Sequence, residues 1–288
     1  MEVAPSLEWF PAPGKLNLFL HVLGRRQEGP NAGMHELQTV FRLIDRCDRV
    51  GIRLRDDGEI RFSGDYGEDN LCVRAARLLQ AEAGVPAGAD LSLDKHLPVG
   101  GGLGGGSSDA ATVLLALNRL WKLNLKRREL MRLGLRLGAD VPFFIYGRSA
   151  LGEGAGERLQ ALDLEPAWYL VLTPQVPVST KEIFSDAALT RDTKPLKMLP
   201  FLSGQGRNDL EPVAVRRYPE IAEHLAWLRK RSPRGSFPPR MTGSGACVFA
   251  EFARQDDADA LYKQLPAAMR GFVARGLEQH PLHDWAHT

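Results

Sequence analysis

Six glycines in the seven positions from Gly100 to Gly106, followed by Ser107 and Ser108, constrain this chain more than any other segment. Glycine permits positive φ and lets a ligand approach the main chain closely. Directly after it, Ser107–Trp121 carries Ala110, Ala111, Val113, Leu114, Leu117 and Trp121 as a broad apolar stripe at helical spacing, while Leu91–Asp94 before it reads as a short strand. Strand, glycine turn and helix N-terminus in succession make a phosphate cradle, because free N–H donors and the positive end of the helix dipole face the anion. A flexible linker is the plain alternative, but such linkers seldom join a strand to a strongly amphipathic helix. The loop lacks the lysine of the P-loop signature. Gly100-x-Gly102-x-x-Gly105 matches the dinucleotide fingerprint only as any such cluster would, and no acidic residue ends a second strand about 20 residues on. A phosphate loop without its own lysine needs charge from elsewhere, from a magnesium ion and a distant Lys or Arg.

Two other segments offer candidates. Lys15–Val22 alternates, with Leu16, Leu18, Leu20 and Val22 on one strand face and Lys15, Asn17, Phe19 and His21 on the other, so Lys15 and Asn17 share a buried or cleft-lining face. Asp140 stands between Gly138-Ala139 and Val141-Pro142. Taken alone it reads best as a helix N-cap, a role compatible with catalysis.

Elsewhere strands are expected at Glu36–Ile44, Val50–Leu54, Trp168–Leu172, Cys247–Phe252 and Gly271–Arg275. Asp56-Asp57-Gly58 reads as a hairpin turn into another short strand, and Gly152–Gly156 as a second hairpin. Helices are expected at Asn70–Ala83, Arg127–Leu137, Pro219–Lys230 and Asp256–Leu265, and one opening at the capping box Ser179-Thr180-Lys181-Glu182. The division falls near Asp163–Pro166, giving domains 1–163 and 164–288.

At 288 residues, 44% hydrophobic and 25% charged, the chain can bury a sizeable core. Its net charge of +2 points away from a broad nucleic-acid surface. Three cysteines without ligand spacing read as free thiols of a cytoplasmic protein, and no signal peptide or apolar run long enough for a membrane is expected.

Pro13-x-Lys15-x-Asn17, Pro98-Val99-Gly100 through Ser108 (with Leu103 the one apolar interruption), Leu137–Pro142 and Thr242–Cys247 resemble the successive motifs of the GHMP kinase superfamily. Lys15–Leu20, His35-x-Leu37-Gln38-Thr39 and Pro281-Leu282-His283 resemble, more narrowly, its 4-diphosphocytidyl-2-C-methyl-D-erythritol kinase family. The resemblance spans essentially the whole chain. It implies an α+β, two-domain fold, a ribosomal-protein-like N-terminal domain followed by a ferredoxin-like one, with ATP and a small-molecule substrate between them. It implies transfer of the γ-phosphate of ATP, with Mg2+, to the 2-hydroxyl of the diphosphocytidyl substrate, by a monomer or weak homodimer. Asp140 would accept or orient the hydroxyl proton and Lys15 would hold Asp140 ionised. His35 and Phe184 would take the cytosine, and Asn17 and Thr180 the rest of the substrate. The chain departs from the family at Met34, where Tyr is usual, and in the longer loop Arg25–Gly33 with Pro30-Asn31-Ala32; a thioether packs on a ring without stacking like one. A mevalonate or homoserine kinase, the related decarboxylase, or an RNA-binding protein of similar fold are the competing readings, the first group disfavoured by the His35 segment with Phe184.

Overall fold

The structure is a computed structural model that describes residues 6–28, 33–67, 69–197, 201, 204–232 and 237–287. Pro30, Asn31 and Ala32 lie outside the described residues. Two long strands organise everything else. β1 (Glu8–Arg25) and β2 (His35–Arg55) pair antiparallel along nearly their whole length, with register shifts at Pro13/Gly14, Asn17/Phe19 and Val22/Gly24. The two strands expected within 36–54 are thus one, because only Asp45 and Arg46 bulge out of register and pairing with β1 resumes at Cys47, Asp48 and Arg49. β3 (Ile60–Ser63) corrects the expected hairpin at Asp56–Gly58. It pairs in parallel with β4 (Gly88–Asp94), and β4 takes the place beside β2 that the hairpin would have filled. β4 is apolar on alternate residues and can reach that edge only through the intervening helix α1 (Leu71–Ala83), whose N-terminus Asn70 caps through Oδ1.

α2 (Gly105–Leu120), α3 (Arg127–Leu135) and α4 (Val141–Tyr146) cover one face of this first sheet. α2 is apolar almost all round and is correspondingly buried, its Val113, Leu114 and Leu117 entirely so. The hairpin β5 (Ala150–Gly154) and β6 (Arg158–Ala161) adds to β2, as the glycines at 152–156 suggest. β7 (Trp168–Leu172), β8 (Arg240–Met241), β9 (Val248–Phe252) and β10 (Gly271–Leu277) form the second half with α5 (Thr180–Ser185), α6 (Glu211–Arg217), α7 (Pro219–Arg231) and α8 (Gln255–Tyr262). The short α6 was not visible as periodicity.

β10 carries the chain back: Gly271–Arg275 pairs with β7, and Gly276 and Leu277 pair with Ile44 and Leu43 of β2. The sheet order is therefore β3-β4-β2-β10-β7-β9-β8, with β1 and β5 also on β2. One apolar cluster lies under α1–α4 and a second under α5–α8. A third, around Leu16, Phe19, Ile44, Tyr169 and Phe249, joins the two. Mixed α and β with this layering is the α+β fold the sequence pointed to. Among the described residues no helix is long and apolar enough to cross a membrane.

Candidate active site

Lys15 is buried mid-strand, its side chain 4% exposed. An ammonium so placed requires polar partners, and it has them: Nζ donates to Asn17 Oδ1, stands 3.5 Å from Asp140 Oδ2 and lies 5.6 Å from the Phe41 ring centroid. Asn17 Nδ2 donates to Thr39 Oγ1 at 2.9 Å, and the Thr39 hydroxyl donates to the Phe19 carbonyl. The Asn17 N–H donates to Thr242 Oγ1 at 2.9 Å. β1, β2 and the turn after β8 together fix where Lys15 points.

Asp140 occupies the N-cap position of α4, but its carboxylate caps nothing, which corrects the capping expectation. The residue is already in the helical region, φ −85° and ψ −16°, whereas a capping side chain needs an extended backbone. With Pro142 supplying no N–H, the carboxylate turns to Lys15 instead.

The glycine loop adopts positive φ at Gly100, Gly102 and Gly104. A Cβ on Gly102 would stand 2.3 Å from the Thr242 carbonyl oxygen, and one on Gly104 2.9 Å from the Phe144 ring. Both the conformation and the space demand glycine there. α2 begins at Gly105 rather than Ser107, so two glycines form its first turn and leave its N–H groups uncovered by side chains. Two cavities flank the loop. One, of about 380 Å³, is lined by Asn70, Leu71, Lys95, Pro98, Val99, Gly101, Gly105, Gly106 and Asp109 among others. The second, of about 370 Å³, is lined by Lys15, Asn17, Thr39, Phe41, Asp140, Thr180, Phe184 and Ser244 among others. Gly100, Gly102, Gly104 and Ser107 belong to both walls. Leu103 and Ser108 line neither: Leu103 is core and its carbonyl accepts from the Lys15 N–H, while the buried Ser108 hydroxyl donates to the Pro13 carbonyl at 2.7 Å.

Phe184 borders the second cavity, and the His35 ring lies 5.0 Å from it, tilted by 38°. His35 Nε2 accepts from Arg191 Nε at 3.2 Å and from Arg25 Nε at 3.3 Å. An accepting Nε2 puts the ring hydrogen on Nδ1. Burial first, then the two guanidiniums, hold the imidazole down at about 4. Arg191 also donates through Nη2 to the carbonyls of Phe184 and Asp186 at 2.9 and 2.8 Å. Thr180 and Ser244 share a hydroxyl contact of 2.7 Å. Met34 is exposed and lines neither cavity.

Sequence reasoning missed Lys95, which lines the loop's other cavity, bonded to Asp48 and, at 2.8 Å, to Asp109. Burial pushes the Asp109 carboxyl up to about 7, Asp48 adding to the effect and Lys95 opposing it. Arg191 was missed as well. Nothing in their spacing marks either residue; each acquires its partners only through the tertiary fold. No group of three or more His, Cys, Asp and Glu side chains fit to hold a metal occurs among the described residues.

The arrangement is a glycine-rich wall with a Lys–carboxylate pair on one side and a mostly apolar pocket on the other. Residues 70–148 match the family of GHMP kinases N terminal domain, and residues 186–271 that of GHMP kinases C terminal. A 4-diphosphocytidyl-2-C-methyl-D-erythritol kinase of Nitrosospira multiformis is 56% identical over 96% of this chain and 93% of its own length. One of Thiobacillus denitrificans is 58% identical over 96% and 98%. The crystal structure of a 4-(cytidine 5'-diphospho)-2C-methyl-D-erythritol kinase superposes with a TM-score of 0.81 at 36% identity, covering 93% of this chain and 99% of that one. A mevalonate kinase, at 15% identity and a TM-score of 0.66, shares the fold. With its motifs in register and its relatives matched end to end, the chain belongs to the 4-diphosphocytidyl-2-C-methyl-D-erythritol kinase family of the GHMP kinases.

Proposed function

We propose that this chain transfers the γ-phosphate of ATP to the 2-hydroxyl of 4-diphosphocytidyl-2-C-methyl-D-erythritol, giving ADP and the 2-phosphate in non-mevalonate isoprenoid precursor synthesis. The observation that carries the reading is the shared glycine wall, with Lys15 and Asp140 against the second cavity. ATP occupies the first cavity and lays its phosphates across Gly100–Ser107. The acceptor occupies the second, its hydroxyl at Asp140, which orients it and receives its proton. Lys15 faces the same point and stabilises negative charge on the transferring group. Positioning and charge stabilisation supply most of the catalysis in phosphoryl transfer.

Magnesium, when bound with ATP, neutralises phosphate charge. Ser107, which lines both cavities, would hold the ion as a protein oxygen donor. Asn17 and Thr180 contact the methylerythritol diphosphate portion, and His35 with Phe184 receives the cytosine. An Nδ1–H of fixed tautomer suits a base acceptor, and a half-exposed Phe ring suits stacking. The two-domain division at 163/164, a cytoplasmic location, a monomer or weak homodimer and no nucleic-acid partner complete the reading.

The test is ADP release by the purified chain with ATP and magnesium. Turnover with the diphosphocytidyl substrate and little with mevalonate or homoserine is expected; equal turnover with mevalonate would refute the substrate assignment.

A further inference from the structure

Among the described residues Arg42 is the largest side chain buried to under 2% exposure, and it is poorly satisfied. It stands where β2 changes neighbours, since Phe41 pairs with Ala150 of β5 and Leu43 with Leu277 of β10. Its guanidinium fills that seam, and a Cβ on Gly276 would meet its Nε at 2.3 Å. Among the described residues its one hydrogen bond is from Nη1 to the Leu164 carbonyl, at 3.3 Å, and Nε has no partner. Arg240 is a second buried guanidinium; among the described residues its hydrogen bonds go to the Pro238 and Leu18 carbonyls, and it lies over the Phe237 and Phe249 rings. One carboxyl, Glu251, feels both from a distance, and burial pushes it up while they pull it down. Among the described residues neither guanidinium hydrogen-bonds a carboxylate.

Arg42 also forms part of the wall of a separate cavity of about 280 Å³. Ser149 lines the same cavity, 2% exposed, with its Oγ unpartnered. Arg148 and Gln279 close one side, held together by a β-bridge. The acidic lining, Asp163 and Glu278, belongs to the exposed rim, and Asp163 meets Arg148 at 3.6 Å with its side chain 99% exposed. A buried guanidinium and an orphaned hydroxyl in the lining, together with the Arg148 guanidinium and the Gln279 amide, form a donor set for a tetrahedral oxyanion. We propose that this cavity binds a phosphate-class anion, either inorganic phosphate or the phosphoryl group of a small metabolite. It does so on the face of β2 opposite the Thr39 and Phe41 side chains that line the catalytic cavity. Asp163 is a weak internal stand-in that such an anion displaces from Arg148.

Equilibrium dialysis of labelled inorganic phosphate against the full chain tests the idea, with a non-hydrolysable ATP analogue and magnesium filling the glycine loop and chloride holding ionic strength constant. A parallel series uses glycerol phosphate, to separate free phosphate from a phosphoryl metabolite; tighter binding of either assigns the source. The wild type should bind one equivalent that Arg42→Met does not. Ser149→Ala should weaken that binding at least several-fold, and Asp163→Asn should tighten it. Without phosphate, Arg42→Met should unfold no lower than wild type, because removing an unpaired buried charge in favour of an apolar side chain is neutral or stabilising. With phosphate, the wild-type midpoint should rise and that of Arg42→Met should not. Equal binding of both anions by wild type, Arg42→Met and Ser149→Ala, or no bound equivalent at all, would overturn the site.

Discussion

At the residue scale, chemistry was legible where a side chain was out of place. Lys15 shared with Asn17 a strand face read as buried or cleft-lining, and an ammonium so placed needs polar partners. Asp140 was harder. Local sequence favoured a cap, and only the backbone at φ −85° and ψ −16° turned its carboxylate toward Lys15. Arg191 was invisible because its bonds to His35, Phe184 and Asp186 depend on the loop after α5 folding back onto β2. It has a measurable consequence. His35 is held at about 4, below the usual 6.5, so in the wild type it stays neutral down to about that pH. Removing the Arg191 charge by Arg191→Met lets the value rise, and protonation then reaches His35 between about 4 and 6.5. In that window kcat/KM for the diphosphocytidyl substrate should fall in the variant relative to its own value at pH 8, with KM for ATP unchanged. A pH profile identical to wild type would show that Arg191 does not tune His35.

Among the elements, amphipathic helices and apolar strands declared themselves, and errors came where pairing had to be inferred. Asp57-Gly58 has hairpin chemistry, yet β3 joins β4 in parallel, since a turn signal specifies a reversal and not the partner. The glycine cluster was read as a loop through Gly106, while its last two members are helix. Its conformational demand is testable at Gly104, where φ is 71° and a Cβ would crowd Phe144 and the Lys15 stem. Gly104→Ala should cost about 1–2 kcal/mol from the left-handed backbone alone. It should also raise KM for ATP by about tenfold or more, measured by steady-state ADP release beside a urea titration. Gly100→Ala meets nothing within 4 Å, so it should carry only the backbone cost.

Over the whole molecule, the sequence suggested two halves but not how the chain end ties them. After β10, residues 280–287 return to the first half, where Arg127 donates to the carbonyls of Ile145, Tyr146, His283 and Ala286. Trp285 meets Phe10 edge-on with centroids 5.3 Å apart. Arg127→Met leaves those carbonyls unpaired and should lower stability by about 3 kcal/mol. His280, fully buried in this tail, is pushed down to about 3 by burial, with His283 and Arg127 adding to it. An unfolded histidine binds its proton near 6.5. Below that pH the unfolded state therefore holds more protons, and stability should fall as pH drops from about 6.5 toward 3. His280→Asn should flatten that slope in urea midpoints taken between pH 7 and pH 4.5. The central claim, however, is that one glycine wall delivers phosphate from one cavity to a hydroxyl held at Asp140 in the other. Its most direct test is the single-turnover rate of Asp140→Ala against wild type, with ATP and the diphosphocytidyl substrate saturating. A loss of about 10²-fold or more with both ligands still bound is predicted; a loss of no more than severalfold would contradict it.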